Sequence, residues 1–90
     1  MVEGRVQGVY YRSYAEEEAH RLGVTGWIRN RRDGRVEMLL EAEERDVKAM
    51  IAWSGQGSPL SRVENVEVAW EPYAGDLSDF RVTYTRGGDE

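Results

Sequence analysis

In the stretch Gly4-Arg5-Val6-Gln7-Gly8-Val9-Tyr10-Tyr11-Arg12 an extended segment gives way to a helical one. Peptide N–H groups at such a junction lack intrahelical partners and converge readily on an anion, with the positive end of the helix behind them. Gly8 lets the backbone come close, and the Arg12 guanidinium offers a two-pronged grip on phosphate oxygens. The chemistry within reach is recognition of a phosphoryl group or a similar oxyanion. The spacing is not that of a Walker loop, which needs a following Lys-Ser/Thr pair, nor of a dinucleotide glycine fingerprint. Taken alone, it fits a tight structural turn with a surface arginine equally well.

The remaining reactive side chains exclude several mechanisms. Cysteine is absent, so there is no thiolate nucleophile, disulfide framework or cysteine-based zinc site. The one histidine, His20, falls among charged residues three-quarters of the way along a helical segment, which reads as a solvated position with no catalytic role. No His/Asp/Glu cluster has metal-ligand spacing. No cofactor is expected.

Charge points to where an anion would be received. The net charge is −5, which argues against a general nucleic-acid binder, since phosphate neutralisation supplies most non-specific affinity. Residues 1–35 hold seven Arg against five acids, whereas residues 36–90 hold five bases against twelve. An anionic ligand is favoured in the first third, although solvated charges scattered by chance give the same count. No apolar run is long enough to span a bilayer and no signal peptide is visible, so a cytoplasmic protein without membrane contact is expected.

These groups need elements to hold them, and the periodicities supply an order. Residues Glu3–Val6 read as a strand. Tyr11, Ala15, Ala19 and Leu22 then fall on one helical stripe, with Glu16, Glu17 and Glu18 in the early turns and Gly23 as a stop. Strands are expected over Val24–Asn30 and Arg35–Leu40 around an Asp33-Gly34 hairpin signal. A second helix over residues 44–56 sets Val47, Met50, Ile51 and Ser54 along one side, with Trp53 near its margin. Val66, Val68 and Trp70 alternate with Glu67 and Ala69 as a further strand, and Phe80, Val82 and Tyr84 alternate as the last. The order β-α-β-β-α-β-β implies a single domain over residues 1–90 with a frayed tail at 86–90. Its fold class is α+β, a two-layer ferredoxin-like sandwich with one added strand: an antiparallel sheet with both helices on one face.

With the elements in place, two motifs stand out. The pattern Gly4-x-Val6-Gln7-Gly8-Val9-x-Tyr11-Arg12 resembles the first signature of the acylphosphatase family. Gly26-Trp27-Ile28-Arg29-Asn30, followed by Asp33-Gly34-x-Val36, resembles its second. The likeness continues through Trp53, Gly57-Ser58-Pro59, Val63-x-x-Val66 and Phe80, and so covers nearly the whole chain. There are departures: Tyr11 where Phe is usual, Ile28 where a smaller residue is usual, Ala42 where Gly is common, and Arg31 where the animal enzymes carry Thr. None removes a reacting group, though Arg31 bears on substrate range or the hold on Asn30, and Ala42 on the shape of a turn. Members of the family usually carry several residues ahead of the counterpart of Val2, so either the chain is trimmed at its start or strand one is short, at a cost in stability if it lies mid-sheet.

The resemblance implies a hydrolase that splits the carboxyl–phosphate bond of acyl phosphates. Arg12 and the backbone amides of Val6, Gln7, Gly8, Val9 and Tyr10 would bind the phosphoryl group, while Asn30 orients a water. An amide side chain accepts no proton near neutral pH, so Asn30 is not a base, and the substrate's own phosphate oxygen takes the proton. Such a site needs neither metal nor general acid, because the leaving carboxylate is stable unprotonated. Tyr11 and Trp27 are expected as core aromatics supporting the two segments. The implied partners are a small-molecule acyl phosphate and inorganic phosphate, the latter as product and competitor. Acetyl phosphate, carbamoyl phosphate and 1,3-bisphosphoglycerate share the reacting group, so the physiological substrate stays open.

Three other readings use the same residues. The chain fits the acylphosphatase-like domain of a larger carbamoyl-phosphate-using hydrogenase maturation protein, or a phosphate-binding module that has lost turnover. An RNA-binding module of the same topology would require sheet aromatics within a basic signature, whereas the strands after Val36 are acid-rich.

Overall fold

The structure, a computed structural model, describes residues 1–71, 75 and 77–83. Along the chain run β1 (Val2–Arg5), α1 (Tyr11–Leu22), β2 (Thr25–Asn30), β3 (Val36–Glu41), α2 (Glu44–Gln56), β4 (Arg62–Val66) and β5 (Phe80–Val82). The predicted frayed tail and Tyr84 lie outside the described residues.

Each helix is where its apolar stripe requires. In α1, Tyr11, Ala15 and Ala19 are buried at a four-residue spacing, and the chain turns out at Gly23 with φ 72°. A left-handed residue at that place lets the amides of Gly23 and Val24 cap the last-turn carbonyls of His20 and Ala19, at 3.3 and 2.9 Å, which is why a glycine stands there. The three consecutive glutamates fall after the first turn, which contains no acidic residue. Their expected support from the helix's positive end is lost, because that effect fades within one turn. In α2, Val47, Met50 and Ser54 are buried, and Glu44 and Asp46 do occupy the first turn.

The sheet order is β4-β1-β3-β2-β5. The pairings β1–β3, β1–β4 and β2–β3 are antiparallel, as expected, but β5 lies parallel to β2 with Gly26 opposite Phe80 and Ile28 opposite Val82. The sheet is therefore mixed. The short first strand, four residues long, sits inside the sheet between β4 and β3. One expectation is corrected in position: the strand placed over Val66–Trp70 runs instead from Arg62 to Val66, and Val68 and Trp70 are exposed. The alternation of Val66, Val68 and Trp70 continued past the residues that find a pairing partner.

Both helices cover the same face, α1 against β2 and β5 and α2 against β4. Val2, Val6, Val9, Ile28, Val36, Met50 and Phe80 join Tyr11 and the two alanines of α1 in one core, each fully buried Val, Ile, Met or Phe side chain contributing about 1.5–3 kcal/mol. Ile28, a departure from the family's smaller residue, is fully buried at its centre. On the opposite face the alternate residues Trp27, Arg29, Glu37 and Leu39 pair across β2 and β3. Trp27 is thus not a core aromatic. It is half-buried beneath the Arg29 guanidinium, whose carbon lies 5.3 Å from the ring centroid.

Candidate active site

Topology explains how distant residues meet. Strands β1 and β2 flank β3 and are both antiparallel to it, and β5 is parallel to β2. All three therefore end at the same edge of the sheet. The loop after β1, the end of β2 and the residue after β5 are brought together there.

The loop from Val6 to Tyr10 links β1 to α1. Gly8 has φ 72° and Tyr10 has φ 61°. Positive φ at alternate residues is the kind of backbone that curls successive N–H groups toward a common concavity. No protein atom lies within 4 Å of where a Gly8 Cβ would be, so within the protein itself it is the positive φ that calls for glycine. Tyr10 is the N-cap of α1, provides no side-chain cap, and is 70% exposed. A non-glycine residue held left-handed costs about 1–2 kcal/mol, so the surrounding contacts must hold the loop in place.

Those contacts come from three directions. Val6 and Val9 anchor the loop in the core. Buried Ser58, in the turn after α2, donates from its hydroxyl to the Val9 carbonyl at 2.8 Å. Gln7 reaches the β2–β3 hairpin, donating from Nε2 to the carbonyls of Arg31 and Arg35 at 2.7 and 3.0 Å. Behind the loop, Tyr11 packs its ring 5.1 Å from that of Trp53 and donates its hydroxyl to Ser54 at 2.8 Å. Burial pushes the Tyr11 hydroxyl well above the usual tyrosine range, so it stays a neutral donor.

Arg12 follows in the first turn of α1, and its Nη1 donates to the Thr83 carbonyl at 3.3 Å. Thr83 is itself tied to β2, its amide donating to the Ile28 carbonyl at 2.8 Å. Asn30 is the last residue of β2, opposite Val36, with its carboxamide oxygen buried. A cleft of about 750 Å³ opens at this edge, lined among others by Val6, Gly8, Tyr10, Arg12 and Asn30. The two predicted side chains thus face one cavity, together with part of the predicted loop.

The far wall carries Glu16, His20 and Asp79. His20 is exposed, with Nε2 3.3 Å from the Phe80 carbonyl and 3.5 Å from Asp79 Oδ1. Among the described residues no group of three or more His, Cys, Asp or Glu could hold a metal ion. Arg31 does not enter the cleft: its side chain turns to Asp33 and Glu37 at 3.2 and 3.5 Å.

The sequence reading did not find the support given by the Gln7 and Ser58 side chains or the Thr83 carbonyl. Gln7 and Ser58 stand within the quoted motifs, so a signal for them was present. Thr83 acts through its backbone, which leaves no mark on residue type.

Fold and cleft together define a ferredoxin-like α+β sandwich whose site is a strand-to-helix loop facing the end of a neighbouring strand. Residues 1–82 match the acylphosphatase family model. An acylphosphatase of Pelotomaculum thermopropionicum is 46% identical over 93% of this chain and 91% of its own, and one of Anaeromyxobacter sp. is 50% identical over 93% and 90%. The crystal structure of acylphosphatase from Bacillus subtilis superposes with a TM-score of 0.89 at 36% identity, covering 92% of each chain. T. kodakarensis HypF superposes at 0.81 with 28% identity over 94% of this chain but 11% of that one. The chain belongs to the acylphosphatase family.

Proposed function

We propose that this protein hydrolyses acyl phosphates to a carboxylate and inorganic phosphate by binding the phosphoryl group at the Val6–Tyr10 loop and Arg12 while Asn30 orients the attacking water. The water oxygen forms the new bond to phosphorus, and the bond from phosphorus to the acyl oxygen breaks. The carboxylate leaves with the electron pair, and the water's proton passes to a phosphate oxygen. Arg12 and the loop amides offset charge on the equatorial oxygens, where preorganised donors contribute most. Asn30 supplies aim rather than basicity.

The observation that carries this reading is the meeting of Arg12, Gly8 and Asn30, from three separate elements, around one cleft. A carboxylate needs no proton to leave, so a site with an arginine and a carboxamide as its working side chains suits an acyl phosphate better than a phosphate monoester. No helix among the described residues is long and apolar enough to cross a membrane; a cytoplasmic location is part of the proposal and accords with the cysteine-free composition. The second reading, a domain of a larger protein, has the HypF likeness in its favour, but at lower identity than the acylphosphatases of this chain's own size.

The test is steady-state hydrolysis of acetyl phosphate and an aromatic acyl phosphate with excess chelator present. Undiminished turnover with competitive inhibition by inorganic phosphate is expected. Loss of turnover in chelator, restored by a divalent ion, would contradict the metal-independent mechanism, and phosphate binding without turnover would favour a binding module.

A further inference from the structure

Gln7 lies inside the phosphate loop by sequence, yet its side chain leaves the loop altogether. Val6 and Gly8 on either side line the cleft, and Gln7 does not. A carboxamide nitrogen carries two hydrogens, and its two contacts go to carbonyls of a single turn, Arg31 at 2.7 Å and Arg35 at 3.0 Å. That turn is the β2–β3 hairpin. The Arg31 amide donates to the Arg35 carbonyl at 2.8 Å and the Gly34 amide to the Arg31 carbonyl at 3.2 Å. Gln7 therefore holds both ends of a turn whose first residue is the direct neighbour of Asn30.

The sheet makes this tie necessary. β1 and β2 are not neighbours, because β3 separates them. The β1–β3 pairing is marked by one register pair, Val2 with Val36, against six between β2 and β3. Before Val36 the chain folds back through the hairpin turn, so no strand pairing joins the loop to Arg31 and Arg35; the Gln7 carboxamide makes that link instead.

We propose that Gln7 is a positioning residue whose carboxamide sets the separation between the phosphate-binding loop and Asn30. The proposal rests on the reading of Asn30 given above. The water that Asn30 aims must arrive in line behind the phosphorus bound by the loop, and a displacement on the order of 1 Å is enough to cost about 10²-fold in rate. Gln7 thereby acts on turnover while leaving the loop's own grip on phosphate in place.

The test compares Gln7→Met, which preserves length and packing without the donors, with Gln7→Asn, which keeps the amide on a shorter reach. Each is made in the natural chain and in Asn30→Ala, with kcat for an acyl phosphate, the inhibition constant of inorganic phosphate and the melting temperature measured for all. Gln7→Met is expected to lower kcat by about 10-fold or more, with phosphate inhibition changed by less than about 3-fold and Gln7→Asn falling between. In Asn30→Ala the same substitution should remove less than about 2-fold further, because residues acting through one another are not additive. Natural kcat in either Gln7 variant overturns the proposal, as does a loss of phosphate binding equal to the loss of kcat/KM. Equal losses in both backgrounds overturn the role of Gln7 alone. Normal turnover in Asn30→Ala overturns the reading of Asn30 and this proposal with it.

Discussion

The hydroxyl of Tyr11 donates a 2.8 Å hydrogen bond to the backbone carbonyl of Ser54. Ser54 lies in the last turn of α2, where helix carbonyls lack a following amide. The first residue of the helix that carries Arg12 thus caps the end of the other helix. This accounts for tyrosine at a place where the family most often has phenylalanine.

Tyr11→Phe is expected to leave the Ser54 carbonyl buried without that donor, at about 1–3 kcal/mol. Each kcal/mol lowers Tm by roughly 4–8 °C in a domain of this size, so thermal unfolding reads it directly. Activity at 25 °C should stay near natural, since the aromatic packing on Trp53 is unchanged.

Ser58 holds the phosphate loop from behind, through its hydroxyl on the Val9 carbonyl. Ser58→Ala removes that buried donor, with an expected stability loss of about 1–2 kcal/mol. The loop's left-handed residues would then be less firmly held, and the inhibition constant for inorganic phosphate should rise by up to roughly 10-fold, one step of 1.4 kcal/mol. Phosphate inhibition assays check this, and natural values would show that the loop keeps its shape without Ser58.

Asp33 closes the β2–β3 hairpin. It accepts from the Arg35 amide at 3.0 Å, from the Arg35 guanidinium at 2.7 and 3.0 Å, and from Arg31 Nε at 3.2 Å. The Arg35 hydrogen bonds foremost, with help from Arg31, hold its carboxyl well below the usual carboxylate range. Near pH 4 and below, the unfolded chain therefore takes up the proton while the folded chain still resists it. The contribution is complete above about pH 4 and fades as pH falls toward the folded value. Asp33→Asn should flatten the fall of Tm across that acidic window and leave the neutral region with a pH-independent offset, which thermal melts from pH 7 to pH 2 would reveal.

The two helices were legible because an apolar stripe at the helical period needs only one neighbouring surface; Tyr11, Ala15, Ala19 and Val47, Met50 mark it, with the small buried Ser54 completing the second. The hairpin was legible from Asp33-Gly34. Strand β4 was misplaced because alternation reports what a strand would bury and not which residues find a partner, so Val68 and Trp70 carried the pattern beyond the pairing. The parallel placement of β5 depends on which edge of the sheet is open, a global property that Phe80 and Val82 cannot announce. At the site, residue types and motif likeness brought out Arg12, Asn30 and the loop. What they could not convey was support arriving across the fold, from Gln7 to Arg31, Ser58 to Val9 and Thr83 to Arg12, because each joins segments far apart in the chain.

The most direct test of the whole account separates binding from aiming. Phosphate affinity and single-turnover hydrolysis of an acyl phosphate should be measured for Arg12→Ala and Asn30→Ala, both confirmed folded. Arg12→Ala is expected to lose phosphate binding and turnover together. Asn30→Ala should still bind phosphate within a few-fold of the natural chain, yet hydrolyse at least about 10²-fold more slowly, the scale of one lost transition-state contact. Near-natural hydrolysis by either protein, or phosphate bound equally well without Arg12, would contradict it.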